Sequence, residues 1–168
     1  DVVAGEERML VHIGTDTGVE GWGEATAIAI WGGVQGRYFG ETPQTVSHVV
    51  HDVFGAALLG ANPLHPAPLM DTLDELIRGH PYAKAAVEMA LFDLKGKAAN
   101  RPVYELLGGR SREGIPIAHM IGLMSLEEAE EEGQAAVRDG CTAFQIKGSG
   151  ELDRDASVVS ALRESLGD

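Results

Sequence analysis

The run TAFQIKG, residues 142–148, holds a lysine where it could do chemistry. The two-residue period of a strand puts Thr142, Phe144 and Ile146 on one face and Ala143, Gln145 and Lys147 on the other. The apolar face suits packing against helices, which leaves Gln145 and Lys147 on the opposite side of the sheet. In an open sheet that side is also covered by helices, and a lysine buried there would be costly. In a closed barrel it faces the interior, near the C-terminal rim where barrel enzymes carry their reactive groups. Lys147 is therefore the candidate catalytic residue. The plain alternative is a strand-end lysine that reaches solvent past Gly148.

The surrounding pattern decides which sheet this is. From Ile115 the chain reads strand, helix, strand, helix. IPIAHMIG is strand-like, with Met120 sharing a face with Pro116 and Ala118, and His119 on the other face in a packing or capping role. Ser125 and Glu128 have capping-box spacing for a helix running to about Arg138, with Gly140 as its stop. DRDASVVSALRESLG predicts a second helix with its apolar stripe at Ala156, Val159, Leu162 and Leu166. Short connections in this order predict a parallel sheet or barrel. Two parallel strands cannot bury both faces, and a closed eightfold barrel takes about 250 residues. Far fewer remain after Gly114, so the chain is expected to stop inside a domain.

The first half has a different grammar. RMLVHI and VEGWGEA flank the turn residues GTDTG and predict a hairpin. The glycine-rich segment 25–40, with Trp31, Tyr38 and Phe39, reads as a long loop of the kind that is usually functional. Thr42 as N-cap and Pro43 at the first helical position open a helix through Val46, Val49, Val50, Val53, Phe54 and Leu58. Leu69, Leu73, Leu76 and Ile77 mark a second helix ending at Gly79. Pro81 opens a third, whose small-residue face is Ala83, Ala86, Val87, Ala90, Leu91, Leu94 and Ala98. A hairpin and three helices make an α+β unit.

Composition narrows the function. The 168 residues carry 13 Lys and Arg against 26 Asp and Glu, a net charge of −13, which excludes a nucleic-acid groove as the default. A hydrophobic share of 44% is that of a chain that folds around a core. No uncharged run approaches the ~20 apolar residues of a membrane span, and the N-terminus lacks signal-peptide character. Cys141 is the single cysteine and cannot form an internal disulfide, so a reducing cytoplasmic setting is expected. It reads as an inert small core residue. The histidines show no metal-ligand spacing, and Glu127, Glu128, Glu130, Glu131 and Glu132 read as a solvated helix face.

The stretch HPYAKAAVEMALFDLKGKAANRPVYELLGG, residues 80–109, resembles the segment that joins the capping domain to the barrel in the mandelate racemase/muconate lactonizing branch of the enolase superfamily. GVEGWGEA at 18–25, YFGET at 38–42 and GCTAFQIKGSG at 140–150 are similar to family segments in the family's order. The resemblance implies an N-terminal capping domain over residues 1–110, then the first two βα units of a modified TIM-type (β/α) barrel over 111–168. It also implies an enzyme, an isomerase or lyase, that abstracts the proton α to the carboxylate of a small carboxylic acid with help from Mg2+. Racemase, epimerase or cycloisomerase chemistry is the leading expectation, and acid-sugar or hydroxy-acid dehydration the alternative.

Family strands of this kind carry Lys, any residue, Lys; here the three are Gln145, Ile146 and Lys147. Lys147 matches the base, while Gln145 replaces a cation by an amide. A neighbouring cation favours the neutral, proton-accepting form of a lysine, and Gln145 cannot supply one, although it can donate a hydrogen bond to a substrate carboxylate. Trp31 and Tyr38 fall in a region similar to the loops that close over substrate, and Met120 where a first-strand side chain reaches the pocket, with packing the plain alternative for each. The metal ligands are expected beyond residue 168, the fragment alone is expected to be inactive, and a homo-oligomer is implied. The reading from another class is a truncated, non-catalytic fragment that acts only by association through exposed barrel edges.

Overall fold

Alternation builds the first sheet. In β2 (Arg8–Gly14) Met9 and Val11 are buried, and their partners across the antiparallel ladder in β3 (Glu20–Thr26) are Ala25 and Gly23. Val2–Ala4 adds a third strand, β1, antiparallel to β2, so the predicted hairpin is the larger part of a three-stranded sheet in the order β1-β2-β3. The computed structural model describes residues 2–4, 8–26 and 41–167. Trp31 and Tyr38, and all of the predicted loop beyond Thr26, lie outside the described residues. By internal packing the chain divides into two units, Asp1–Arg110 and Ser111–Asp168.

In the first unit, α1 (Pro43–His48) starts on a capping box between Thr42 and Thr45. The predicted single helix to Leu58 is not continuous. One π-helical turn, Val49–Val53, follows α1, and the short α2 (Gly55–Leu58) follows Phe54. The Phe54 N–H donates to the Val49 carbonyl at 2.9 Å, and the extra residue in that turn shifts the apolar stripe by one position. Phe54 is consequently fully buried, while Val53 is half-buried. α3 (Pro66–Leu76) buries Leu73, and the short α5 (Val103–Leu106) was not anticipated from the pattern.

The long helix α4 (Pro81–Ala99) buries Ala83, Ala86, Val87, Ala90, Leu91 and Leu94. Ala98, expected on that face, is exposed because it lies beyond the end of the sheet contact. Small residues on both sides let the helix lie directly on β3, whose inward positions are Gly21, Gly23 and Ala25. Trp22 points outward, 44% exposed, and stacks on His12 with ring centroids 4.3 Å apart. As the outermost residue row of the sheet, β3 would leave backbone donors open. Asp93 of α4 accepts from the Trp22 N–H at 2.9 Å, and Lys97 Nζ donates to both Asp93 and the Glu20 carbonyl. Burial pushes the Asp93 carboxyl up, but the bonds from Lys97 and Trp22 and the Lys97 charge outweigh it and hold the group below the usual range.

Glu41 is the buried charged residue of this core, 1% exposed. Its carboxylate accepts from the Tyr82 N–H at 2.9 Å and the Ala83 N–H at 3.1 Å, in the first turn of α4. His80, the local N-cap, is left-handed (φ 54°) and offers no side-chain cap, so a residue 41 positions away in sequence satisfies the helix. Glu41→Ala should cost about 1–3 kcal/mol, since it leaves buried amides unpaired. Denaturant unfolding of the variant checks this.

The second unit is strand, helix, strand, helix as expected: β4 (Ala118–Ile121), α6 (Leu126–Arg138), β5 (Ala143–Ile146) and α7 (Leu152–Leu166), with β4 and β5 parallel. The strands are shorter than the apolar runs that predict them. Ile121, Ala129 and Leu162 form the core, with Phe144, Ile146, Val158 and Leu166 packed against it. On α7 the packed stripe is thus Val158, Leu162 and Leu166, one residue out of phase with the expected Ala156 and Val159, which are exposed.

The predicted capping box is present: Ser125 Oγ accepts from the Glu128 N–H, and Glu128 accepts from the Ser125 N–H at 2.8 Å. Those Ser125 donors, the amide first and then the hydroxyl, hold the Glu128 carboxyl below its ordinary value. A carboxylate lowered in the folded state stabilises above its unfolded pKa and loses that contribution as pH falls through the lowered value. Ser125→Ala should therefore destabilise the folded protein near neutrality, and the difference from wild type should shrink in acid. Thermal melts across that pH range read it out.

Candidate functional site

Parallel pairing sets β4 against β5 with Ala118 opposite Ala143, His119 opposite Phe144, Met120 opposite Gln145 and Ile121 opposite Ile146. The Lys147 N–H extends the ladder by donating to the Ile121 carbonyl at 2.9 Å. One face of this pair is the packed one. Ile121 is fully buried there, and Phe144 and Ile146 lean on the helices. His119 shares that face, its Nε2 2.9 Å from Glu132 Oε1 and its ring edge-on to Phe144, which gives Glu132 a specific partner rather than a place on a purely solvated face.

The other face carries Met120, 59% exposed, with Gln145 and Lys147 also exposed. Three of the sequence-predicted residues thus come together on one side, at the C-terminal ends of two parallel strands. Lysine ion pairs among the described residues belong to Lys84, with Asp74, and Lys97, with Asp93, and not to Lys147. An open face bearing an amine and an amide can accept a proton at Lys147 Nζ and hydrogen-bond an anionic oxygen at Gln145.

Sequence reasoning missed the anchor of the loop behind Lys147. The Asp155 carboxylate accepts from the Ser149 N–H at 2.9 and 3.0 Å, from Ser149 Oγ at 2.6 Å and from the Gly150 N–H at 3.3 Å. The Ser149 hydroxyl first, then its amide, pull the Asp155 carboxyl below the usual range despite opposing desolvation, with smaller help from Gly150 and Arg154. The six-residue spacing from Ser149 to Asp155 fits no capping rule, so no local signal flagged it. Elsewhere, Cys141 is half-buried, and His48 and His51 are bonded within their own helix to Asp52 and Ser47.

No group of three or more His, Cys, Asp or Glu side chains among the described residues could hold a metal ion. Asp93, Glu128, Glu132 and Asp155 each already have a hydrogen-bond partner within their own unit. By themselves the described residues do not make a Mg2+ holder. Among them, no helix is long and apolar enough to cross a membrane.

The sequence profile of the mandelate racemase/muconate lactonizing enzyme N-terminal domain matches residues 3–108. N-succinyl-L-Arg/Lys racemase of Bacillus cereus is 33% identical over 159 residues, covering 95% of this chain and 41% of the relative. Its crystal structure superposes with a TM-score of 0.81 over 96% of this chain and 42% of that one. Muconate cycloisomerase 1 of Acinetobacter baylyi is 33% identical over 162 residues, covering 95% of this chain and 42% of its own length. Cis-3-hydroxy-L-proline dehydratase of Roseibium aggregatum is 29% identical over 160 residues, covering 95% of this chain and 42% of its own. These relatives are isomerases and a lyase, and the chain spans about two fifths of their length. Matched from end to end of the described fold, capping sheet and helices first and two parallel βα units of a TIM-type barrel after them, the chain belongs to the mandelate racemase/muconate lactonizing enzyme family of the enolase superfamily.

Proposed function

We propose that the full-length protein abstracts the proton α to the carboxylate of a small carboxylic acid, as a racemase, epimerase or cycloisomerase, and that Lys147 is the base. The observation that supports this reading is the shared open face of Met120, Gln145 and Lys147 at the ends of two parallel strands. A neutral Lys147 amine takes the α-proton, the Gln145 amide donates to a substrate oxygen, and Met120 gives an apolar wall. Trp31 and Tyr38 contact substrate from the segment before Glu41. A divalent cation, Mg2+ in this reading, would stabilise the enediolate dianion, its ligands lying beyond residue 168. The protein works in the cytoplasm as a homo-oligomer.

Dehydration is the second reading, favoured by the similarity to the Roseibium aggregatum dehydratase. It shares the first proton transfer and differs in losing a hydroxyl from the adjacent carbon. One experiment separates the two. Full-length enzyme is incubated in deuterated water with N-succinyl-L-lysine, N-succinyl-L-arginine, cis,cis-muconate and cis-3-hydroxy-L-proline, and followed by proton NMR. Deuterium at the α-carbon of an intact substrate supports racemisation, and a keto or imine product supports dehydration. A panel with neither deuterium uptake nor turnover counts against both.

A further inference from the structure

We infer that Asp155 is a positioning residue for Lys147, holding in place the turn that follows the lysine. This rests on the reading of Lys147 as the base. On its N-terminal side Lys147 is fixed by the ladder bond from its N–H to the Ile121 carbonyl. On the other side come Gly148, Ser149 and Gly150, and two glycines in three residues leave the backbone with little conformational restraint of its own. Gly150 is left-handed (φ 90°), one of several conformations open to glycine at little cost.

The restraint comes from the first turn of α7. Asp155 is placed there by its own N–H to the Glu151 carbonyl at 2.9 Å, and both of its carboxylate oxygens reach back to the turn. They take the Ser149 amide and hydroxyl and the Gly150 amide. Ser149 Oγ in turn accepts from the Glu151 N–H at 3.1 Å, which closes the network onto the helix start. The next residue back does the same for the other strand: Arg154 Nη2 donates to the Met124 carbonyl at 2.9 Å, in the connection that leaves β4. One helical turn thereby secures the chain after both strands that present Met120, Gln145 and Lys147. A general base gains its rate from a fixed approach to the proton, and a displacement of about 1 Å can cost about a hundredfold.

The test uses the full-length enzyme and two readouts. In hydrogen–deuterium exchange of the substrate-free protein, Asp155→Ala should speed exchange at the Ser149 and Gly150 amides by about tenfold or more. With N-succinyl-L-lysine as the probe carboxylate, α-proton exchange should show kcat reduced about ten- to a hundredfold with KM nearly unchanged. Asp155→Asn, which keeps one acceptor oxygen, should fall between Asp155→Ala and wild type. If Asp155→Ala fails to fold, Asp155→Asn and Ser149→Ala carry the same comparison. Ser125→Ala, which loosens the same unit at α6, should leave kcat unchanged.

Wild-type amide protection in Asp155→Ala would overturn the inference, as would wild-type kcat or an equal kcat loss in Ser125→Ala. The base assignment is tested separately by Lys147→Ala. If that variant is inactive while Asp155→Ala is fully active, the base stands and the positioning role falls. If Lys147→Ala keeps its exchange activity, both fall.

Discussion

With Lys147 as the proposed base, Lys147→Ala in the full-length protein should lower exchange of the substrate α-proton with solvent by about 10²–10⁴-fold, the usual contribution of a positioned general base. Metal affinity should change little, because Mg2+ takes oxygen ligands and a lysine amine is not one. Deuterium uptake by NMR and Mg2+ titration by calorimetry read the two quantities independently. Their separation is the signature of a base, since a structural lesion would lower both. Gln145→Lys is the companion variant. It restores a second cation on the open face and should move the acidic limb of the pH–rate profile to lower pH. Undiminished exchange in Lys147→Ala would place the base on another strand.

The largest stability effect should come from one methyl group. An added Cβ at Gly23 would overlap the Ala86 carbonyl oxygen and stand 2.8 Å from the Ala86 carbonyl carbon and 2.9 Å from the Ala90 nitrogen. All three are backbone atoms of the α4 interior, so no side-chain rotation relieves the clash. Gly23→Ala should cost about 3 kcal/mol, the upper part of the range for overpacking, and Gly21→Ala should behave alike. Gly18→Ala is the contrast. Its neighbourhood is open, and its cost is confined to the left-handed backbone (φ 79°). Denaturant midpoints of the three variants rank these effects.

Elements with a local signature were legible in the sequence. Thr42 and Pro43, Ser125 and Glu128, and the alternation in TAFQIKG each act over a few residues, and each sits where its pattern placed it. Features that need a distant partner were not legible. The π-turn at Val49–Val53 follows from how Phe54 enters the core, and the phase of α7 from what packs on Ile121. Nothing local in YFGET marks Glu41, because its amide partners lie beyond α1, α2 and α3 in sequence. The same limit governed the site. Periodicity gave the face of Gln145 and Lys147, but the tether through Asp155 depends on a helix turn folding back over the strand end.

The direct seating of α4 on β3 also governs the order in which the molecule can be made. The bond from the Trp22 amide to Asp93 spans 71 residues. During synthesis β3 leaves the ribosome well before α4 exists, at a pace of about 5–20 residues per second. For those seconds its glycine-lined inner face and free edge have no partner, and closing so long a loop is a slow, entropically costly step. Inside the second unit the contacts join consecutive strands and helices, and these pair without comparable delay. Until α4 arrives, the β3 edge is a place where a nascent chain is exposed to mispairing.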